Sequence, residues 1–86
     1  MAVVRWNPSK NEELKKKRGV SFEEILSARL VSVQEHPSRT HQNIMLFELD
    51  GYIWVVPYVQ QGEKIFLKTL FPSRKYTRKW KEGELT

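Results

Sequence analysis

The sequence predicts an α+β fold in one domain over residues 1–86, with a small antiparallel sheet flanked by two N-terminal helices and one C-terminal helix. Three observations predict it. The first quarter of the chain contains residues typical of helix caps. In the middle of the chain, apolar residues alternate along segments that are separated by glycine turns. Near the end, a serine precedes a basic segment and can cap a helix there. The 86 residues are 40% hydrophobic and 29% charged, the ordinary balance of a small globular protein with one core.

The first quarter of the chain carries the signals of a short strand and two short helices. The strand is predicted at residues 3–6 (VVRW). Asn7 can cap a helix that begins at Pro8, since proline at the first helical position gives up no hydrogen bond. Gly19 ends that helix, because glycine readily takes the left-handed conformation. Residues 21–24 (SFEE) have the spacing of a capping box, so a second helix follows at once.

Residues 30–43 are less regular. The segment 30–33 (LVSV) fits either a short strand or the frayed end of the second helix. Residues 35–43 are polar and read as a loop that holds both histidines, His36 and His41. Glu35 lies nearby, but a fourth ligand of the usual kind is missing, so no metal site is expected. The histidines are either ordinary surface residues or proton-transfer groups, because histidine titrates near neutral pH.

Three strands are predicted over the apolar middle of the chain, at residues 44–49, 52–59 and 64–71. The first turn between them is Asp50-Gly51, a strong signal for a two-residue hairpin. The second turn is predicted at Gln61-Gly62. These three strands form the sheet of the predicted fold.

The second of these strands has two informative features. It contains Pro57, which has no N–H to donate to a neighbouring strand and therefore predicts a bulge there. The alternate residues from Tyr52 to Val56 point to one face of the sheet, and Ile53 and Val55 point to the other. Because both faces are apolar, helices or a partner are expected to cover both.

The charge of the chain is positive and unevenly placed. Fifteen basic and ten acidic residues give a formal net charge of +5. Residues 64–81 contain no acid, and Ser73 within them can cap a helix that begins at Arg74. Such a surface favours nucleic acid or an acidic partner, and the alternative is a basic helix face that only keeps the protein in solution. The basic residues of this stretch are Lys64, Lys68, Arg74, Lys75, Arg78, Lys79 and Lys81.

The predicted C-terminal helix combines these cations with two aromatic residues. Arg74 and Arg78 share a face at i, i+4 spacing, and the planar fork of arginine suits phosphate. Tyr76 and Trp80 are also four apart and could stack on RNA bases. The alternative is that they dock the helix on the sheet, which we expect for Trp80 and leave open for Tyr76.

Several classes of function are disfavoured. The absence of cysteine removes disulfides, thiolate zinc sites and a cysteine nucleophile. No glycine-rich phosphate loop and no serine nucleophile elbow is present, and no cofactor is expected. No apolar run approaches the roughly 18 to 20 residues that span a bilayer, and no signal peptide is apparent. A cytoplasmic protein without a membrane partner is therefore expected.

The sequence also resembles a known family. Residues 6–11 (WNPSKN) and 17–24 (KRGVSFEE) resemble the opening of BrnT-type toxins, in which a W-D-P-x-K-x-x-x-N-like start leads to K-H-G-V-S-F-E-E. Residues 73–79 (SRKYTRK) resemble the A-R-K-A-T-R-R of that family. The resemblance covers nearly the whole chain. The positions that match motif residues are Lys10, Arg74, Lys75 and Arg78.

The resemblance implies a ribonuclease toxin of a type II toxin–antitoxin system, with a compact RelE-like fold. It implies RNA as the substrate and a cognate DNA-binding antitoxin, of the ribbon-helix-helix type, as the partner. Operator DNA would be contacted only through that antitoxin, and a homodimer within the complex is possible. The sequence departs from the family's pattern at Asn7, at Arg18 and in the loop 35–43, which bears on whether this copy is active.

The resulting hypothesis is a metal-independent endoribonuclease that cleaves RNA, inhibits translation and is neutralised by its antitoxin. A base would take the proton of the 2′-hydroxyl, cations would stabilise the phosphate, and an acid would protonate the leaving oxygen. Lys68 and Arg74 would flank the scissile phosphate, and His41 or Tyr76 would transfer protons. The candidate catalytic residues are Lys68, Arg74, Arg78, His41 and Tyr76, and the candidate RNA-binding residues are Lys10, Lys75 and Lys79.

Two alternatives of a different class rest on the same charge. One is a nucleic-acid-binding module without catalytic activity, whose affinity would fall steeply with salt. The other is a protein-interaction domain whose basic helix docks on an acidic partner.

Overall fold

The computed structural model describes residues 3–85 of the chain as a six-stranded mixed sheet with helices on both faces. Residues 1, 2 and 86 of the predicted domain lie outside this range. No helix within residues 3–85 is long and apolar enough to cross a membrane. The elements are β1 (Val3–Arg5), α1 (Pro8–Arg18), α2 (Phe22–Leu26), β2 (Arg29–Glu35), β3 (Asn43–Leu49), β4 (Tyr52–Gln61), β5 (Lys64–Leu67), β6 (Phe71–Pro72) and α3 (Arg74–Lys81).

The strand order is β1-β5-β4-β3-β2, and β6 pairs with β4 beyond the end of β5. The expectation of a wholly antiparallel sheet is wrong at one edge, because β1 runs parallel to β5. In that pair Val4 lies beside Ile65, and both pack against the same core cluster. A three-residue strand shows no sequence signal for a partner some 60 residues away, since the pairing depends on this long-range burial.

The predicted helix signals are confirmed. The Asn7 side chain accepts hydrogen bonds from the N–H groups of Ser9 and Lys10, at 2.9 and 3.2 Å. Gly19 ends α1 with a φ of +76°. Ser21 and Glu24 form both bonds of the capping box that begins α2. These contacts fix the corner between α1 and α2 by local chemistry.

The apolar residues form two clusters, one on each face of the sheet, as the alternation along β4 predicts. The first cluster joins α1 and α2 to the sheet, and the second joins α3 to it. The first contains Leu14, Val20, Phe22, Ile25, Phe47, Val56, Tyr58, Leu67 and Leu70. The second contains Ile44, Leu46, Ile53 and Val55, with Val31, Phe71, Tyr76, Trp80 and Leu85 packed against them.

The third predicted strand, residues 64–71, is wrong as a continuous element. It divides into β5 and β6, with an irregular stretch at residues 68–70 between them. Lys68 therefore lies just after a strand, where its N–H donates to the carbonyl of Pro57 at 2.8 Å. In an extended strand the N–H and C=O of one residue point toward the same neighbouring strand. The carbonyl of Pro57 faces Lys68, so the ring nitrogen of Pro57, which has no N–H to donate, faces the break as well.

Three smaller expectations are settled by the strand pairing. Residues 29–35 form an edge strand, β2, and not the end of a helix. The bulge of the sheet lies in β2, where the register shifts between Leu30 and Ser32, whereas Pro57 pairs regularly with Ile44. The second hairpin turn is at Gly62-Glu63, one residue later than predicted, and the first is at Asp50-Gly51 as expected.

Candidate functional site

Helix α3 presents a basic face to solvent. Ser73 caps it by accepting a hydrogen bond from the Tyr76 N–H at 3.1 Å. Tyr76 and Trp80 pack against the second core cluster and Thr77 is buried, so these three residues mark the inner side of the helix. The remaining positions are all basic: Arg74, Lys75, Arg78 and Lys81 are exposed, and Lys79 is partly exposed.

The basic face has two sides. On one side, Arg74 and Arg78 line a depression of about 360 Å³ together with Tyr52, Thr77, Lys81 and Glu82. This depression brings together the arginine pair that the i, i+4 spacing predicts. Each guanidinium can donate two hydrogen bonds to a phosphate, and the three cations outnumber the Glu82 carboxylate, so the depression is suited to an RNA phosphate.

On the other side of α3, two lysines lie over the ring of Tyr76. Their Nζ atoms are 5.5 Å (Lys75) and 5.8 Å (Lys79) from the ring centroid. Tyr76 packs against the second core cluster, as Trp80 does, so both aromatic residues dock α3 on the sheet. The Tyr76 ring also attracts each of the two lysine ammonium groups by a cation–π interaction.

Lys68 lines a different cavity, of about 200 Å³, at the break between β5 and β6. The loop after β2 closes over this cavity and contributes His36, Arg39 and Gln42. We call this cavity the Lys68 cleft. Its other lining residues are Pro57, Thr69 and Phe71.

The imidazole of His36 is fixed by the loop. Its Nδ1 accepts hydrogen bonds from the N–H groups of Ser38 and Arg39, each at 3.1 Å. Because Nδ1 is an acceptor, the neutral ring carries its proton on Nε2. His36 can therefore offer an N–H to an oxygen in the Lys68 cleft.

The other candidate residues from the sequence are placed apart from this cleft. His41, with a φ of +65°, is exposed and lines an open depression of about 590 Å³ formed by the loop itself. Lys10 lies on α1, and α1 packs on the opposite face of the sheet from α3. Arg74 lines the depression beside Tyr52 and not the Lys68 cleft.

Sequence reasoning missed His36, Arg39 and Thr69 as cleft residues. The polar loop was recognised, but its position over the break depends on pairing between β2 and β3. The proline of β4 was the available signal, because a strand that pairs at Pro57 loses a hydrogen bond and tends to break there.

Arg18 also reaches the break, from the end of α1. Its guanidinium donates a hydrogen bond to the carbonyl of Leu70 and lies 6.0 Å from the ring centroid of Phe71. Arg18 thus links the helix corner to the segment that carries Lys68. Among residues 3–85, no three His, Cys, Asp or Glu side chains lie close enough together to hold a metal ion.

A solved structure has a similar architecture. The crystal structure of the Brucella abortus ribonuclease toxin BrnT matches 85% of this chain and 97% of its own, with a TM-score of 0.57 and 19% sequence identity. The chain has the BrnT fold. No family model matches the sequence, and no curated protein matches it at a significant level.

The BrnT fold agrees with the resemblance of the motifs and gives the motif residues their places. Three of them, Arg74, Lys75 and Arg78, lie together on the basic face of α3. The fourth, Lys10, lies on the first turn of α1. Arg18, where the motif has histidine, supports the break instead of entering the Lys68 cleft.

Proposed function

We propose that this protein is a metal-independent endoribonuclease toxin of a type II toxin–antitoxin system, acting in the cytoplasm. The observation that carries the proposal is a basic helix next to a cleft that holds a lysine, an arginine and an oriented histidine, in a fold shared with a ribonuclease toxin. The bound phosphate would lie in the Lys68 cleft, and the phosphates on either side would lie on α3.

The proposed reaction is internal transesterification of RNA. The 2′-hydroxyl loses its proton and its oxygen attacks the adjacent phosphorus. The bond from phosphorus to the 5′-oxygen then breaks, and that oxygen takes up a proton. The products are a 2′,3′-cyclic phosphate and a 5′-hydroxyl end, so no water is consumed in this step.

The cleft residues suit the charge that develops on the phosphate. Lys68 and Arg39 supply positive charge to the non-bridging oxygens, and the Nε2–H of His36 donates to one of them. His41 and Tyr76 remain the proposed proton-transfer groups, although neither side chain lines the Lys68 cleft. Tyr76 packs in the same cluster as Phe71, which lines the cleft, and His41 belongs to the loop that closes it, so each would act on the RNA from outside the cleft.

RNA would follow the basic face of α3, where Arg74 and Arg78 form one phosphate site and Lys75 and Lys79 form a second. Lys10, on the far side of the sheet, would contact only a longer RNA. A DNA-binding antitoxin would inhibit by covering α3 with an acidic segment, since the same cations attract carboxylates and phosphates.

A cleavage assay tests the enzymatic proposal. Purified protein is incubated with a single-stranded RNA in excess EDTA, and the products are resolved by size and by end-group chemistry. We expect cyclic phosphate ends from the wild type and a loss of about 100-fold or more for Lys68→Met. Lys16→Met, which removes an exposed lysine on α1, is the matched control and should cleave normally.

The binding module without activity is the second candidate, favoured by the exposed basic face of α3 alone. If the wild type binds RNA in a salt-sensitive way but leaves it intact, the ribonuclease proposal is wrong and the binding module is favoured. Co-expression with the neighbouring gene tests the antitoxin: we expect growth arrest by this chain and its relief by that partner.

A further inference from the structure

Among the described residues, 3–85, none covers the whole of the sheet face that carries α3. Helix α3 covers Ile53 and Val55 in the first half of β4. Val59 points to the same face, about 14 Å beyond Val55 along the strand at roughly 3.4 Å per residue. On this uncovered part lies the ring of Phe66, which is 39% exposed.

The direction of Phe66 follows from its neighbours. Ile65 and Leu67 both pack with the first core cluster, so Phe66 between them points to the opposite face, the one that carries α3. Its strand partners are Val59 in β4 and Arg5 in β1. Phe66 thus lies on this face of the sheet between an apolar neighbour, Val59, and a basic one, Arg5.

Three basic residues share this face of the sheet with the ring. The Nζ of Lys68 is 5.7 Å from its centroid. Arg5 is its partner in β1, and Lys64 lies two residues earlier on the same face. Between residues 51 and 81 the chain has one acid, Glu63, and it lies in the turn before β5.

Lys68 connects this ring to the proposed active site, because the same side chain lies over Phe66 and lines the Lys68 cleft. A nucleotide whose phosphate contacts Lys68 has its neighbouring base within reach of the ring. Aromatic rings on open sheets, with cations for the backbone, are a common way to bind single-stranded RNA.

We propose that Phe66 is a stacking site for a nucleobase of single-stranded RNA, with Arg5 and Lys68 binding the phosphates on either side of that base. This site rests on the proposed function for its ligand, and it extends that function by a subsite next to the cleft. The occupant is RNA and not a protein segment, because an exposed aromatic ring that shares its sheet face with Arg5, Lys64 and Lys68 matches a base between phosphates.

The experiment uses a 12-nucleotide 2′-O-methyl RNA, which lacks the attacking hydroxyl and is therefore bound without being cleaved. Binding is measured by fluorescence anisotropy at several salt concentrations. We expect Phe66→Ala to weaken binding by about 5- to 100-fold without changing the salt dependence, as for the loss of one stacked base. We expect Arg5→Ala to weaken binding and to reduce the salt dependence.

Two further variants separate stacking from simple apolar contact. Phe66→Trp keeps a flat ring and should bind at least as tightly as wild type. Phe66→Leu keeps apolar area but no ring, and should resemble Phe66→Ala. Val33→Ala, at another exposed apolar residue on the far edge strand, is the control and should bind normally.

The outcomes distinguish the subsite from the enzyme. If wild type binds and cleaves RNA while Phe66→Leu and Phe66→Ala bind normally, the stacking site is wrong and the proposed function stands. If wild type binds the analogue with the expected Phe66 dependence but cleaves no RNA, the stacking site stands and the ribonuclease does not. A wild type that binds no RNA overturns both.

Discussion

The Thr77 hydroxyl accepts a hydrogen bond from the main-chain N–H of Ile53 at 2.8 Å, and so joins α3 to the central strand β4. The same hydroxyl donates to the carbonyl of Ser73 at 2.6 Å. The carbonyl of Ile53 in turn accepts from the N–H of Ser73 at 2.9 Å. The first turn of α3 therefore satisfies both main-chain groups of Ile53, as a neighbouring strand would do.

Thr77→Val should destabilise the protein by about 1–3 kcal/mol, because it leaves the buried Ile53 N–H without an acceptor while keeping the shape of the side chain. Thr77→Ser keeps the hydroxyl and should cost less. Urea unfolding followed by circular dichroism measures both. Equal midpoints for the valine and serine variants would show that the hydrogen bond contributes little.

Arg18→Ala should destabilise the protein by about 1 kcal/mol, because the Leu70 carbonyl loses a charged donor and Phe71 loses a cation. Lys17→Ala is the matched control: it removes the same charge from the same turn but breaks only an exposed ion pair with Glu13. Thermal melting compares them. If Lys17→Ala lowers the melting temperature as much as Arg18→Ala does, the effect comes from the charge at the end of the helix and not from the contacts of Arg18 with Leu70 and Phe71.

The contrast between α1 and the Lys68 cleft shows how much the sequence predicts. The caps at Asn7, Gly19 and Ser21 depend on groups within four residues of each other, so their spacing is sufficient evidence. The basic face of α3 is equally local, since helical periodicity alone turns Arg74 and Arg78 outwards.

The cleft could not be predicted in the same way. The sequence predicts one strand over residues 64–71 that includes Lys68, and the break appears only where that segment meets Pro57. His36 lines the same cleft as Lys68 only because β2 pairs with β3 in one particular register. Such pairings depend on packing between distant residues, which local patterns do not report.

Acid should weaken the corner between α1 and α2 through Glu24. Its pKa is lowered from 4.5 to about 2, first by a hydrogen bond from Lys15 and then by the N–H of Ser21. Since ionised Glu24 favours the folded state, its contribution is present above about pH 4.5 and is lost as the pH falls through about 2. Glu24→Gln should therefore lose less thermal stability than wild type between pH 6 and pH 2.5.

The control for this pH dependence is Glu12→Gln, at an exposed position on the same helix as Lys15. Melting temperatures are measured for the three proteins across the pH range. Parallel curves for wild type and Glu24→Gln would contradict the role of the capping carboxylate in acid stability.

The arginine pair of α3 should account for a defined part of the salt dependence of RNA binding. Arg74→Ala and Arg78→Ala each remove one phosphate contact in the proposed site, so each should reduce the slope of log affinity against log salt by about 0.7. The double variant should reduce it by about 1.4. Lys16→Ala removes an equal charge from α1 and should leave the slope nearly unchanged. An equal reduction by Lys16→Ala would mean that RNA responds to the net charge of +5 and not to a phosphate site on α3.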